Sequence, residues 1–349
     1  MKNSLTNYIM SKNNTIKSVI QRLNSSGLQI VFLSESTGKI IGTVTDGDIR
    51  RIYLKNISVD EKAINIANTN FKYVYDNASA GEILFLMKRC HIRHIPVLNS
   101  KFKLIKVVTY NEMFDQMIED PIIIFAGGKG ERLRPYTKTT PKPLLNIGEK
   151  SIIENIIERF ATLGFFNIHI SLNYKSNMIK NRIMKNFPNM FSDHAFIVEK
   201  KPLGTAGSLS RMKDHTNGLV ITHNGDILSD VNFRKLLEEH KKKHNDITCV
   251  VIPYESQIPF GTVEITKSRI LKISEKPVHK HFILAGINVV STEIIGNLKN
   301  EQRLNMDKLF DNAIKEKRRV GFYLHSGFWM DIGDKDAFLK AKDMFGGIK

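Results

Sequence analysis

The 349-residue chain is predicted to be an α/β protein: a mostly parallel-sheet domain preceded by a smaller domain built from a repeat. Three observations carry this. From residue 121 onward, apolar β-rich runs alternate with helical patterns, which implies a mostly parallel sheet covered on both faces. The first of those runs ends in a glycine-rich turn, at the carboxyl end of a strand, where such sheets take ligands. Before residue 121, one strand–turn–strand pattern occurs twice.

The repeat sets residues 30–50, IVFLSESTGKIIGTVTDGDIR, beside residues 95–114, IPVLNSKFKLIKVVTYNEMF. Each copy has an apolar strand, a polar turn and a second β-branched strand. Each then has a Thr followed three positions later by an acid: Thr45 and Asp48, then Thr109 and Glu112. A helical stripe precedes each strand pair, Ile16, Val19, Ile20 and Leu23 in the first copy and Ile83, Leu84 and Met87 in the second. The expected domains are 1–118, with copies at about 1–60 and 61–118, and 121–349. Pro121 suits the mouth of the next strand, where its missing N–H is tolerated.

In the second domain the expected strands are IIIFA (122–126), IHISL (168–172), AFIVE (195–199), LVITHN (219–224) and ITCVVIP (247–253). The clearest helix is 151–163. Ser151 and Glu154 form a capping box, and Ile152, Ile153, Ile156, Ile157, Phe160 and Leu163 make one stripe.

Composition narrows the function. Apolar residues at 42% and charged residues at 25% exclude a long disordered chain. Cys90 and Cys249 are too few for a disulfide scaffold or a cysteine zinc site. The net charge of +17 invites an anionic partner. It divides as +5 over residues 1–120 and +12 over 121–349, with no basic tail and no nucleic-acid motif, so no nucleic-acid partner is expected. The run His91-Ile92-Arg93-His94 is read as a helix-to-strand turn rather than a metal site, and Lys241, Lys242, Lys243 and His244 as a solvated face. The start lacks the apolar core of a signal peptide, and no apolar run approaches the ~18 residues of a membrane span. A cytoplasmic protein with no membrane partner is expected.

The loop Ala126-Gly127-Gly128-Lys129-Gly130-Glu131-Arg132-Leu133 suits phosphate, because bare backbone N–H groups can point at it. Leu133 stands where a dinucleotide fingerprint has its third glycine, and no Gly-Lys-Ser/Thr follows as in a Walker loop. Farther on, Pro141 and Pro143 fix the backbone around Lys142.

The stretch GGKGERLRPYTKTTPKPLL is similar to the signature of sugar-1-phosphate nucleotidyltransferases, and further blocks follow in order over about residues 121–345. The resemblance implies a Rossmann-like nucleotidyltransferase domain that converts NTP and sugar 1-phosphate into NDP-sugar and pyrophosphate with Mg²⁺. Such a reaction must align two anions and neutralise the leaving group. By resemblance, Arg132 and Lys142 are the catalytic cations, and Ala126, Gly127, Gly128 and Gly130 surround the nucleotide. Asp226, in Asn224-Gly225-Asp226, and Asp331, in Trp329-Met330-Asp331-Ile332-Gly333, match the metal ligands. Glu199 and the segment Leu203-Gly204-Thr205-Ala206-Gly207 match the part beside base and ribose, and look most like guanylyltransferases, which points to GTP. Gly261, Glu275, Lys276 and Asn288 match the blocks that meet the sugar and its phosphate.

The N-terminal repeat resembles a tandem pair of CBS domains, which often bind purine nucleotides. Asp48 matches the acid that holds ribose, whereas Tyr110 and Asn111 replace the tighter turn in the second copy, so one working site is expected at most. The whole combination resembles the glucosamine-1-phosphate guanylyltransferases of bacterial legionaminic acid synthesis. That implies GDP-glucosamine for surface glycans, with a mannose-1-phosphate guanylyltransferase or another NDP-sugar enzyme as the alternative. A catalytically inactive nucleotide sensor is the rival reading. Both halves resemble families that self-associate, so a homo-oligomer is expected.

Overall fold

The computed structural model describes residues 5–26, 29–113, 117–216 and 218–346. Its contacts divide the chain into two units, Met1–Met117 and Ile118–Lys349. Among the described residues, no helix is long and apolar enough to cross a membrane.

The first unit runs β1 (Ile9–Ser11), α1 (Ile16–Ser26), β2 (Ile30–Ser34), β3 (Ile40–Thr45), α2 (Asp46–Lys55), β4 (Val74–Tyr75), α3 (Ala80–Cys90), β5 (His94–Leu98), β6 (Leu104–Thr109) and α4 (Tyr110–Met113). The repeat in the sequence is a repeat in space: two three-stranded sheets, β1-β2-β3 and β4-β5-β6. In each, the first strand pairs parallel with the second, and the second forms an antiparallel hairpin with the third. The registers correspond residue for residue. Ile30 faces Thr45 as His94 faces Thr109, and a bulge follows Leu33 as one follows Val97. The helical stripes Ile16, Val19, Leu23 and Ile83, Leu84, Met87 are buried, which is why each helix packs on its sheet.

The second unit begins with β7 (Ile122–Phe125), β8 (Asn146–Ile147), β9 (Lys150–Ser151), α5 (Ile152–Thr162), β10 (Ile168–Leu172), α6 (Ser176–Asn186), β11 (Phe196–Val198), α7 (Gly204–Gly207) and β12 (Leu219–Asn224). It continues with β13 (Ile227–Ser229), α8 (Phe233–Lys243), β14 (Ile247–Gln257), β15 (Thr262–Thr266), β16 (Arg269–Ser274), β17 (Val278–Ser291), α9 (Thr292–Gly296), α10 (Met306–Lys315), β18 (Val320–Leu324), β19 (Trp329–Asp331) and α11 (Lys335–Gly346). Its main sheet has seven strands in the order β11-β10-β7-β12-β17-β14-β18. Every strand but β17 runs the same way, and β17 is antiparallel to both neighbours. Ile122, Ile123 and Ile124 of central β7 are fully buried, as a strand covered on both faces requires. The run at 247–253 extends beyond its expected end to Gln257, because β17 continues alongside it.

Helix α5 starts as its capping box implies. Ser151 donates from its N–H and its Oγ to Glu154 Oε2, each at 2.7 Å, and Arg182 Nε donates to Glu154 Oε1 at 2.9 Å. Burial opposes ionisation of Glu154, but the hydrogen bonds from Arg182, Ser151 and Asn186 outweigh it and hold its pKa at about 2, against 4.5 ordinarily. A carboxyl depressed by folding stabilises above its unfolded pKa, so this contribution is complete above about pH 4.5 and is lost as the pH falls through about 2. With allowance for solvent screening at the half-exposed Arg182, Glu154→Gln is expected to destabilise by about 2 kcal/mol at pH 7. Urea unfolding at pH 7 and pH 3 checks this, since the gap between the two proteins should narrow in acid.

Candidate active site

The carboxyl ends of β7, β10, β11 and β12 open on a cavity of about 320 Å³. Its floor is the glycine loop after β7. Gly130 is left-handed (φ 65°), and a Cβ there would lie 2.9 Å from Lys142 Cβ and 3.0 Å from Thr137 Cγ2. Thr137 Oγ1 donates to the Gly130 carbonyl at 2.7 Å. This close approach seats the loop on the Pro141-Lys142-Pro143 turn, so only glycine fits. Gly127 packs on Asn173, whereas Gly128 faces open space. Ala126, 2% exposed, lines the cavity and donates its N–H to the Ser171 carbonyl at 2.8 Å.

The prolines around Lys142 turn its side chain inward, where it is 8% exposed and Nζ donates to Asp226 Oδ2 at 2.5 Å. Asp226 is reached by a tight crossing. Gly225 donates its N–H to the Phe125 carbonyl at 2.9 Å, and a Cβ on Gly225 would come within 2.6 Å of that oxygen. The chain then enters β13, which pairs antiparallel with β19 so that Ile227 faces Asp331. Ile332 N–H closes the pairing on the Asp226 carbonyl at 2.9 Å. Two carboxylates distant in sequence are thus set side by side by a two-stranded ribbon.

Burial, and then repulsion from Asp226, push the Asp331 carboxyl above its ordinary pKa, against the pull of Lys142 and Arg132. Asp331 Oδ1 is buried and has no hydrogen-bond partner among the described residues. Arg132 stands in the short helical turn Glu131–Leu133. A Cβ on Gly333 would lie 3.4 Å from Arg132 Nη2 and 3.2 Å from Asp331 Oδ1, so guanidinium and carboxylate share that corner. An orphaned carboxylate oxygen beside a second carboxylate suits a hard divalent cation. No group of three or more His, Cys, Asp or Glu side chains able to hold a metal occurs among the described residues. A two-carboxylate set fits Mg²⁺, which keeps waters and substrate phosphates as its other ligands.

At the far wall, Glu199 and the 203–207 segment meet. Glu199 Oε1 accepts from Ser171 Oγ (2.6 Å) and Ser208 Oγ (2.5 Å), and Oε2 accepts from Leu203 N–H (2.9 Å). Its carboxylate therefore anchors the segment from within. Gly204 and Thr205 line the cavity, whereas Ala206 is fully buried and its N–H is bonded to the Leu304 carbonyl. Sequence reasoning missed Asn173 and Asn305, which also line the cavity. Neither belongs to a glycine- or proline-marked motif.

None of the sugar-side residues lines this cavity, and Gly261, Glu275 and Lys276 lie together apart from it. Gly261 and Glu275 flank the open end of the β15–β16 hairpin, with Glu275 Oε2 3.1 Å from where a Gly261 Cβ would stand. Lys276 follows in a left-handed conformation (φ 44°). Asn288 stands apart from these three. It lies inside the main sheet between Thr222 and Cys249, 5% exposed, and donates from Nδ2 to Thr222 Oγ1 at 3.1 Å. Its buried Oδ1 has no hydrogen-bond partner among the described residues.

In the first unit, a cleft of about 760 Å³ carries Arg50, Arg51, Lys72, Arg93 and His94 on its walls. Asp48 lines it too, but its carboxylate accepts from Thr45 N–H (2.8 Å) and Thr45 Oγ1 (2.6 Å) and pairs with Arg51. In the second copy, Glu112 accepts from Thr109 N–H at 2.9 Å. The Thr-to-acid spacing is therefore a helix cap in both copies.

Comparison with known proteins agrees with this architecture. The nucleotidyl transferase family matches residues 121–345, and the CBS domain family matches residues 63–119, the copy with the looser motif. The mannose-1-phosphate guanyltransferase of Aspergillus oryzae is 31% identical over 233 residues, covering 64% of this chain and 63% of that protein. Its Saccharomyces cerevisiae counterpart is 30% identical over 233 residues, covering 64% of each. The chain thus spans under two thirds of the length of these relatives. Among solved structures, HddC from Yersinia pseudotuberculosis complexed with GMP-PN superposes with a TM-score of 0.52 at 24% identity, covering 65% of this chain and 99% of that one. With its α/β sheet, its glycine loop and its N-terminal CBS domain, the chain belongs to the nucleotidyl transferase family.

Proposed function

We propose that the chain transfers a nucleotidyl group from GTP to a sugar 1-phosphate. A sugar-phosphate oxygen attacks the α-phosphorus, the bond to the β-phosphate breaks, and pyrophosphate leaves. The observation that carries this reading is the clustering of Arg132, Lys142, Asp226 and Asp331, of which Lys142 and Asp226 line the glycine-edged cavity. Lys142 and Arg132 neutralise the triphosphate and the departing pyrophosphate, and Lys142 is already desolvated for that purpose. Asp226 and Asp331 would hold Mg²⁺, which supplies further charge neutralisation on the phosphates. Gly127, Gly128 and Gly130 keep side chains away from the nucleotide. Glu199 positions the base-side segment, with Gly204 and Thr205 at its surface and Ala206 packed beneath. Gly261, Glu275 and Lys276 serve the sugar. Asn288 serves the sugar side as well, with Nδ2 fixed on Thr222 Oγ1 and the buried Oδ1 left without a partner among the described residues. An inactive nucleotide sensor is disfavoured by the presence of all four charged groups.

The names of the relatives support a guanine nucleotide. For the sugar, we infer glucosamine 1-phosphate, with GDP-glucosamine serving legionaminic acid synthesis, from the joining of a CBS pair to this transferase. Mannose 1-phosphate is the alternative that the relatives' names favour. Mass spectrometry of reactions containing GTP, Mg²⁺ and each sugar 1-phosphate decides. GDP-hexosamine is expected as the main product, and GDP-mannose alone would refute the glucosamine assignment.

We further propose that residues 1–118 form a tandem CBS pair whose cationic cleft takes a purine nucleotide beside Asp48. A purine nucleotide is then expected to raise Tm by a few degrees. Asp48→Ala should lower the starting Tm through loss of its cap, worth about 1 kcal/mol, and should also remove the nucleotide-induced rise. An equal rise in both proteins would contradict the Asp48 assignment. The hairpin face of Val263 (50% exposed), Ile265 (72%), Leu271 (65%) and Ile273 (68%) fits a homo-oligomer, since a lone two-stranded hairpin is marginal in water. Light scattering on the same samples should exceed the monomer mass, and a strict monomer would contradict this.

A further inference from the structure

We propose that Asn305 reads the base of the bound nucleoside triphosphate and so sets the choice of donor. This rests on the nucleotidyl-transfer reading above, which assigns the site but leaves the base without a side-chain partner.

The two ends of the cavity differ in chemistry. Lys142, Asp226 and the glycine loop mark the phosphate end. At the other end stand Gly204, Thr205, Ser208 and Asn305, backed by Glu199 and Ser171. There the hydroxyls and the carboxylate are engaged within the protein. Ser171 and Ser208 both donate to Glu199, Glu199 also takes the Leu203 N–H, and Thr205 Oγ1 accepts from Met306 N–H at 3.1 Å. Asn173, nearer the loop, donates its amide to the Glu199 carbonyl at 3.0 Å.

Asn305 is the exception. It occupies the N-cap position of α10, yet its side chain makes no capping bond, and its amide has no partner among the described residues. A free amide presents one acceptor and a pair of donors in one plane, which is the pattern that pairs with the edge of a base.

Its placement is built in. The strap 302–306 is zipped to the 203–207 segment by backbone hydrogen bonds: Leu304 N–H to the Leu203 carbonyl at 2.8 Å, and Ala206 and Gly207 N–H to the Leu304 carbonyl at 3.0 and 2.9 Å. Gly204 is left-handed (φ 75°). A Cβ on it would overlap Asn305 Oδ1 and come within 2.5 Å of the Leu304 carbonyl. The missing side chain at Gly204 therefore lets the Asn305 amide lie over the segment at the base end. The α10 cap loses nothing by this, since the side chain takes no part in it.

A site that hydrogen-bonds one base edge rejects bases that leave its polar groups unpaired. The test is calorimetric titration of the full chain with GTP, ATP, CTP and UTP, for wild type, Asn305→Leu and Asn305→Asp. Leucine keeps the volume and removes both hydrogen bonds. It should weaken the preferred NTP by about 10-fold and shrink its preference over the others by the same factor. Aspartate offers acceptors only. It should retain binding to guanine, which presents adjacent N–H groups, better than leucine does. If wild type discriminates among the four and Asn305→Leu keeps the same ratios of Kd, the base is read elsewhere and the inference fails alone. A uniform loss for all four would reduce Asn305 to a structural part of the strap and overturn it as well. If wild type binds no NTP, the nucleotidyl-transfer reading fails and takes this inference with it.

Discussion

Asp226→Asn is expected to lower turnover by at least about 1,000-fold while the chain keeps its fold. The substitution preserves shape, and the turn is set by backbone contacts: Gly225 N–H on the Phe125 carbonyl and Ile332 N–H on the Asp226 carbonyl, both at 2.9 Å. What it removes is charge. Lys142 loses the carboxylate that its Nζ meets at 2.5 Å, and Asp331 loses the neighbour that helps push its carboxyl up. A two-carboxylate cation site with one neutral member binds a divalent ion poorly. The Asp226 side chain is about a quarter exposed, so the stability cost should stay near 1–2 kcal/mol rather than that of a fully buried broken pair. Pyrophosphate release and thermal unfolding, measured on one preparation, separate the two effects. Full activity in the variant would refute the metal assignment.

Lys142→Gln is the second large effect, expected at about 100-fold or more in kcat with a smaller change in KM. Lys142 is held by flanking prolines and by contact with Gly130, so its ammonium is fixed before substrate arrives. A preorganised, desolvated cation acts most where charge grows, on the breaking α–β bridge oxygen. Glutamine keeps a donor but not the charge. Steady-state kinetics in both substrates would expose a loss confined to KM, which would make Lys142 a binding group only.

The parts of this molecule that were legible in its sequence are those whose physics is local. The Ser151–Glu154 box and the β-branched runs are each written within a few residues, and each folds as its spacing implies. The glycine loop belongs with them, since Gly130 takes a left-handed turn too close to Lys142 and Thr137 for a side chain. Other features depend on topology. Nothing near Asn288 in the sequence reveals that β17 runs antiparallel through the sheet, which turns its amide to Thr222. Nothing near Asn305 shows that its strap zips onto residues 203–207. Asp48 is an intermediate case. Its spacing to Thr45 was visible, but the same spacing serves a helix cap, and only the structure shows its carboxylate engaged there with Arg51.

The most direct measurement is pyrophosphate release from GTP in Mg²⁺, with and without a panel of sugar 1-phosphates. The account requires release that depends on both substrates, with one GDP-sugar formed for each pyrophosphate. No release with any NTP and sugar 1-phosphate, or release from GTP that ignores the sugar phosphate, would contradict it.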